Sequence, residues 1–161
     1  MNLLINKITF MKRLFLAACV LLFGQTVFAQ DADNLLTSYF SIKNALITAD
    51  SKASSQAIEA FIEAIKAGKD FTQKNDLLKT ADAMGRSTDI EKQRVAFEKV
   101  SITMWEIVKQ SVPLNQDVYY QYCPMKKAYW LSNEPAIKNP YYGSKMLTCG
   151  SVKDKKLNGK E

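Results

Sequence analysis

Four sulfur-bearing side chains crowd the last third of this 161-residue chain, Cys123 and Met125 at one end of a stretch and Met146 and Cys149 at the other. The pattern is C-x-M … M-x-x-C. Thiolates and thioethers are soft ligands that suit Cu(I) or Ag(I), and the chain has no histidine, so the nitrogen chemistry that zinc and Cu(II) favour is poorly served. One expectation is therefore a copper(I) or silver(I) site built from Cys123, Met125, Met146 and Cys149. The other is a Cys123–Cys149 disulfide that staples the segment and binds no metal, since paired cysteines in an oxidising compartment commonly cross-link. Ligand and disulfide are mutually exclusive states of the same two thiols.

The same stretch is rich in rings. Trp130 could shield a bound cation, and Tyr122, Tyr141 and Tyr142 could either shield the site or dock a partner. Each residue also has a plainer role: methionine as adaptable core filler, Trp130 as core, and Asn139-Pro140-Tyr141-Tyr142-Gly143 as a turn with packed rings.

Cys123-Pro124-Met125, Trp130-Leu131-Ser132, Asn139-Pro140-Tyr141-Tyr142-Gly143 and Lys145-Met146-Leu147-Thr148-Cys149-Gly150 together resemble the C-terminal signature of a family of small exported helical domains of unknown function. These are known from Bacteroidetes-type bacteria, alone or fused to the periplasmic adaptor subunit of copper/silver heavy-metal efflux pumps. The helical half, from Leu35-Leu36 to Ala49 and from Arg94 to Lys109, has the same look. The resemblance implies a heavy-metal context and an efflux adaptor as partner, without an established activity. Some relatives carry a histidine where this chain has Tyr122, so the resemblance supplies no nitrogen ligand at that position.

Other chemistries find little support. There is no histidine to serve as base beside Ser or Cys, no C-x-x-C pair and no glycine-rich phosphate loop, so the expectation is a non-enzyme. Lys and Arg number 22 against 16 Asp and Glu, a net +6; without Lys7, Lys12 and Arg13 the balance is 19 against 16, a net +3. Most of that excess lies in Lys153, Lys155, Lys156 and Lys160. Such a charge offers no face that would neutralise several phosphates, which argues against nucleic acid.

The N-terminus reads as an address. After Met11, Lys12-Arg13 is a positive region, Leu14 to Phe23 an apolar one, and Val27-Phe28-Ala29 a small-residue cleavage pattern. The apolar run is short of the ~20 residues a membrane span needs, so a periplasmic product cleaved after Ala29 is expected, with no transmembrane segment left. An alternative is a lipoprotein anchored through Cys19 of Leu16-Ala17-Ala18-Cys19, although the apolar run continues past that cysteine. The true start is Met1 or Met11.

What remains, about 130 residues, suits one domain with a real core. Apolar spacings of three and four predict a helix over 34–50 (Leu35, Leu36, Tyr39, Ile42, Leu46, Ala49), capped by Asp33 or Asn34. A second follows Asp50-Ser51, carries Ile58, Phe61 and Ile65, stops at Gly68 and lies antiparallel to the first. Phe71, Leu77, Leu78, Ala81 and Met84 predict a shorter one between Asp70 and Gly85. Thr88-Asp89-Ile90-Glu91 resembles a capping box that opens the longest, with Phe97, Val100, Met104, Ile107 and Val108 inward, and Glu91, Lys92, Arg94, Glu98 and Lys99 facing water until Pro113 ends it. Val118 to Tyr122 is β-prone, and prolines and glycines punctuate the rest. The predicted fold is all-α: an antiparallel bundle of three to four helices under an irregular, aromatic-rich C-terminal cap. Residues 1–29 form the signal peptide, 30–152 a single domain with the Cys/Met cap at 118–150, and 153–161 a flexible charged tail.

Overall fold

The computed structural model describes residues 32–111 and 114–158. Cys19 and Val27-Phe28-Ala29, on which the expected leader rests, lie outside the described residues, as do Pro113 and Lys160. Four α-helices come first: α1 (32–48), α2 (Ser51–Ala67), α3 (Lys74–Gly85) and α4 (Ile90–Gln110). Strands β1 (Val118–Cys123), β2 (Ala128–Ser132) and β3 (Ser151–Lys156) follow, with a 3-10 turn at Gly143–Met146 before the last. No helix among the described residues is long and apolar enough to cross a membrane.

The helices obey their stripes. Leu36, Tyr39, Ile42 and Leu46 of α1, Ile58, Phe61 and Ile65 of α2, Leu77, Ala81 and Met84 of α3, and Phe97, Val100, Met104 and Val108 of α4 are all buried. Tyr39 ties three helices, stacked on Phe97 at 4.9 Å and edge-on to Phe61 at 6.4 Å. Asp50 caps α2 by accepting from the Ala53 N–H at 2.9 Å, and Gly68 ends it. Between α1 and α2 the chain turns on Ala49, which has a positive φ of 55° and is exposed rather than part of the stripe. Asp33 lies within α1 and accepts from the Asn115 N–H and side-chain amide.

Three expectations are corrected. The fold is mixed helix and sheet, not all-α, because the C-terminal segment forms a three-stranded antiparallel sheet of order β2-β1-β3. β1 pairs β2 from Tyr119↔Ser132 to Cys123↔Ala128, and pairs β3 from Val118↔Lys156 to Tyr122↔Ser151, with an irregularity at Tyr120/Gln121. Residues 153–156, assigned above to a tail, belong to β3. Lys156 reaches over α4 and donates to the carbonyls of Val108 (2.8 Å), Lys109 (3.1 Å) and Ser111, satisfying acceptors that a helix end leaves open.

The third correction concerns α4. Its cap is Asp89, which accepts from the Lys92 N–H at 2.9 Å, while Glu91 pairs with Arg94 instead of closing a box with Thr88. Arg94 does not face water; it is buried. It stands three residues before Phe97 and seven before Ser101, on the inward stripe, and its guanidinium donates there to the Pro140 and Leu46 carbonyls and to Glu91.

The sheet docks on the helices through directed contacts. β2 packs against α4. The Leu131 N–H on the outer edge of β2 donates to the Tyr39 hydroxyl at 3.1 Å, and that hydroxyl contacts Ser101 Oγ at 2.6 Å. Trp105 of α4 stacks on Tyr120 at 4.8 Å, which stacks on Tyr129 at 4.7 Å. At the other edge, β3 is exposed and carries Lys153, Lys155 and Lys156, charges that discourage further strand pairing.

Candidate metal centre

The antiparallel pairing of β1 with β3 decides where the cysteines meet. Cys123 closes β1, one residue past Tyr122, and Cys149 enters two residues before Ser151, the partner of Tyr122. Their Sγ atoms lie 3.9 Å apart and both are free thiols. Cys123 is fully buried and Cys149 partly so. A disulfide bond is about 2.04 Å long, so this is a non-bonded pair. With a metal–thiolate distance of about 2.3 Å, two sulfurs could stand at most about 4.6 Å apart across one ion; 3.9 Å fits a bent pair that leaves room for a further ligand.

No group of three or more His, Cys, Asp or Glu side chains gathers among the described residues, so a further ligand would have to be a thioether or come from elsewhere. Met125 sits in the β1–β2 turn, 63% exposed, and Met146 ends the 3-10 turn, 37% exposed. Both turns lie at the end of the sheet where the thiols meet, and the Cys149 N–H donates to the Met146 carbonyl at 3.1 Å. The fold thus brings the two thiols together and leaves the two thioethers on adjoining exposed turns. Burial of the Cys149 thiol and the nearness of Cys123 push its pKa up, so the neutral thiol is favoured and a metal ion must displace its proton.

The aromatic residues divide. Trp130 and Tyr141 are core: Tyr141 donates its hydroxyl to the Tyr129 carbonyl, and its ring lies edge-on to Trp130 at 6.0 Å and 6.1 Å from Phe97. Both are sealed from solvent. Tyr122 and Tyr142 are half-buried, each beneath a lysine, Lys153 at 5.8 Å and Lys126 at 4.8 Å.

Sequence reasoning missed the residues that build the loop. Buried Asn139 works as a clamp: its side-chain amide donates to the Cys149 carbonyl at 2.7 Å, its Oδ1 accepts from the Tyr141 N–H at 2.8 Å, and its own N–H donates to the Leu147 carbonyl at 2.7 Å. Gly150, at φ 151°, lets the chain pass over Trp130; a Cβ there would lie 2.8 Å from Trp130 Cη2 and 2.9 Å from the Tyr122 carbonyl oxygen. Gly143, at φ 54°, similarly has no room beside Arg94 and the Ile47 carbonyl. Arg94 joins this loop to the helices, donating through Nε to the Pro140 carbonyl at 2.8 Å and through Nη2 to the Leu46 carbonyl at 2.7 Å. Its place on the inward stripe of α4 was the available signal.

A second polar pair lies beneath the sheet. Lys43 of α1 is buried, donates to Ser132 Oγ at 3.2 Å and lies 5.4 Å from the Phe40 ring centroid. Burial lowers its pKa to about 8, and Glu134 only partly opposes this. Both Lys43 and Ser132 are sealed from solvent, so the pair acts as a strut between α1 and β2.

Residues 35–116, half of the chain, match the model of a family described as a protein of unknown function, DUF3347. The chain belongs to that family. The matched span runs from within α1 through α4 and ends before β1, so Cys123 and Cys149 lie beyond it. No curated protein and no solved structure matches the chain.

Proposed function

We propose that this protein is an exported, non-enzymatic accessory that binds one Cu(I) or Ag(I) ion through Cys123 and Cys149, with Met125 and Met146 completing the site. The observation that carries this reading is the pair of free thiols 3.9 Å apart between two exposed methionine turns. Two thiolates give a monovalent ion charge and softness, and thioethers on open turns give it a way in and out, as delivery to a partner requires. The resemblance of Cys-Pro-Met … Met-x-x-Cys-Gly to domains joined to efflux adaptors supports a periplasmic location and an adaptor as recipient.

A disulfide-stapled interaction module is the second reading, favoured by the complete burial of Cys123 and by a sulfur separation that a small movement would close. One experiment parts the two. A free-thiol count on protein exported to the periplasm is followed by competition of the reduced protein against a chromogenic Cu(I) chelator. Metal binding predicts one Cu(I) per chain, loss of tight binding in Cys123→Ser and Cys149→Ser, and weakened binding in Met125→Leu and Met146→Leu with the fold retained. A reduced protein that cannot compete, with no free thiol in the exported form, ends the metal reading.

A further inference from the structure

Away from the thiols, α3 and α4 leave a groove of about 670 Å³ between them. All of its lining belongs to these two helices. Val95 and Ile102 of α4 supply its apolar lining with Ala83 and Ala96, and they are 75% and 42% exposed, among the most exposed large hydrophobic residues of the helices. Lys92, Val95, Lys99 and Ile102 follow one another at spacings of three, four and three, so cations and aliphatic residues alternate along one seam of α4. Lys79 of α3 adds a third cation. None of Lys79, Lys92 and Lys99 makes an ion pair or side-chain hydrogen bond among the described residues, and one carboxylate, Asp76, shares the rim with them.

We infer that this groove is a docking site for an amphipathic helix of a partner protein, with aliphatic residues on its inner face and Asp or Glu along its flanks. Shape and charge both select that occupant. The lining runs along α4 from Lys92 to Thr103, a length of about 16 Å at the helical rise, which matches three turns of a guest helix. A trough between two helices accepts a rod whose side chains at i, i+3 or i+4, and i+7 fill it, whereas a flat bilayer surface would leave it empty. The unpaired lysines select acidic flanks over basic ones. A second copy of this chain is a poor guest, since the same seam would bring Lys92 and Lys99 against like charges.

The test uses the full mature chain and a labelled synthetic helical peptide, capped at both ends, with leucines on one face and glutamates flanking them. A control peptide carries lysine in place of each glutamate. Fluorescence anisotropy should show the acidic peptide binding at least about tenfold more tightly than the control, with the preference shrinking as salt rises. Val95→Glu and Ile102→Glu should each weaken binding about tenfold with unchanged melting temperature, because both side chains are already exposed. Lys92→Glu should reverse the peptide preference. Equal binding of both peptides, or none, overturns the proposal. So does a concentration-dependent dimer that Val95→Glu dissolves, which would assign the face to self-association, or Val95-dependent binding to phosphatidylglycerol vesicles, which would assign it to a membrane.

Discussion

The helical half and the sheet half of this protein are held together in different ways. From α1 to α4 the structure rests on apolar side chains that interdigitate along regular stripes, with local caps at Asp50 and Asp89. From β1 onward the interior is polar and aromatic: the Asn139 clamp, the stacked Trp105, Tyr120 and Tyr129, and cations that reach across from one half to carbonyls or hydroxyls of the other. Stripes tolerate small shifts, because apolar contact has no direction. Directed bonds do not, and the end of the chain that carries the thiols is held by them. The metal site proposed above would gain from that rigidity, because it needs two sulfurs at a fixed separation.

The comparison breaks first at Phe97, the ring on which both halves meet. Phe97→Ala should cost ~3–5 kcal/mol in a denaturant titration, by transfer and cavity terms together, and should unfold helices and sheet in one transition. Separate transitions would show that the halves are independent units.

Lys43 comes next, and its sign is opposite. Folding lowers the amine's pKa from 10.5 to about 8, so between these values the unfolded chain holds a proton that the folded chain has released, and stability rises with pH across that window. Tyr39, Tyr120 and Tyr141 act the other way: burial raises their pKa, so their contribution is complete below about pH 10 and is lost above it as the unfolded phenols ionise. Lys43→Met should therefore stabilise the protein at pH 7 by up to roughly 3 kcal/mol and flatten the rise between pH 8 and 10. Urea titrations of both proteins over that range measure it. A wild type with no such rise would show that the amine keeps its proton.

Arg94→Met should cost about 1–3 kcal/mol, because it leaves the Pro140 and Leu46 carbonyls without their buried donor. It should also loosen the loop that precedes Cys149, seen as faster thiol modification of Cys149 than in the wild type. Unchanged modification would sever the proposed link between the helices and the site. Smallest is the cap of α4. Asp89→Ala should lose about 1 kcal/mol, and Thr88→Ala much less, since the carboxylate and not the hydroxyl meets the helix N–H groups. Equal losses would restore Thr88 as the cap.

The four helices were legible in the sequence because a stripe of period three or four is a local property, as Leu36, Phe61, Leu77 and Phe97 illustrate. The β tendency of Val118 to Tyr122 was legible too. The sheet was not. β3, Ser-Val-Lys-Asp-Lys-Lys, has neither apolar alternation nor β-branched enrichment beyond Val152, and becomes a strand only because β1 offers it partners some thirty residues away. Buried Arg94 and Lys43 escaped for the same reason: charge normally marks solvent, and only the assembled structure supplies the distant carbonyls, Ser132 hydroxyl and Phe40 ring that surround them. The residue types at the thiol site were therefore set by the sequence alone, while the 3.9 Å between Cys123 and Cys149 was decided by a strand register that no local pattern encodes.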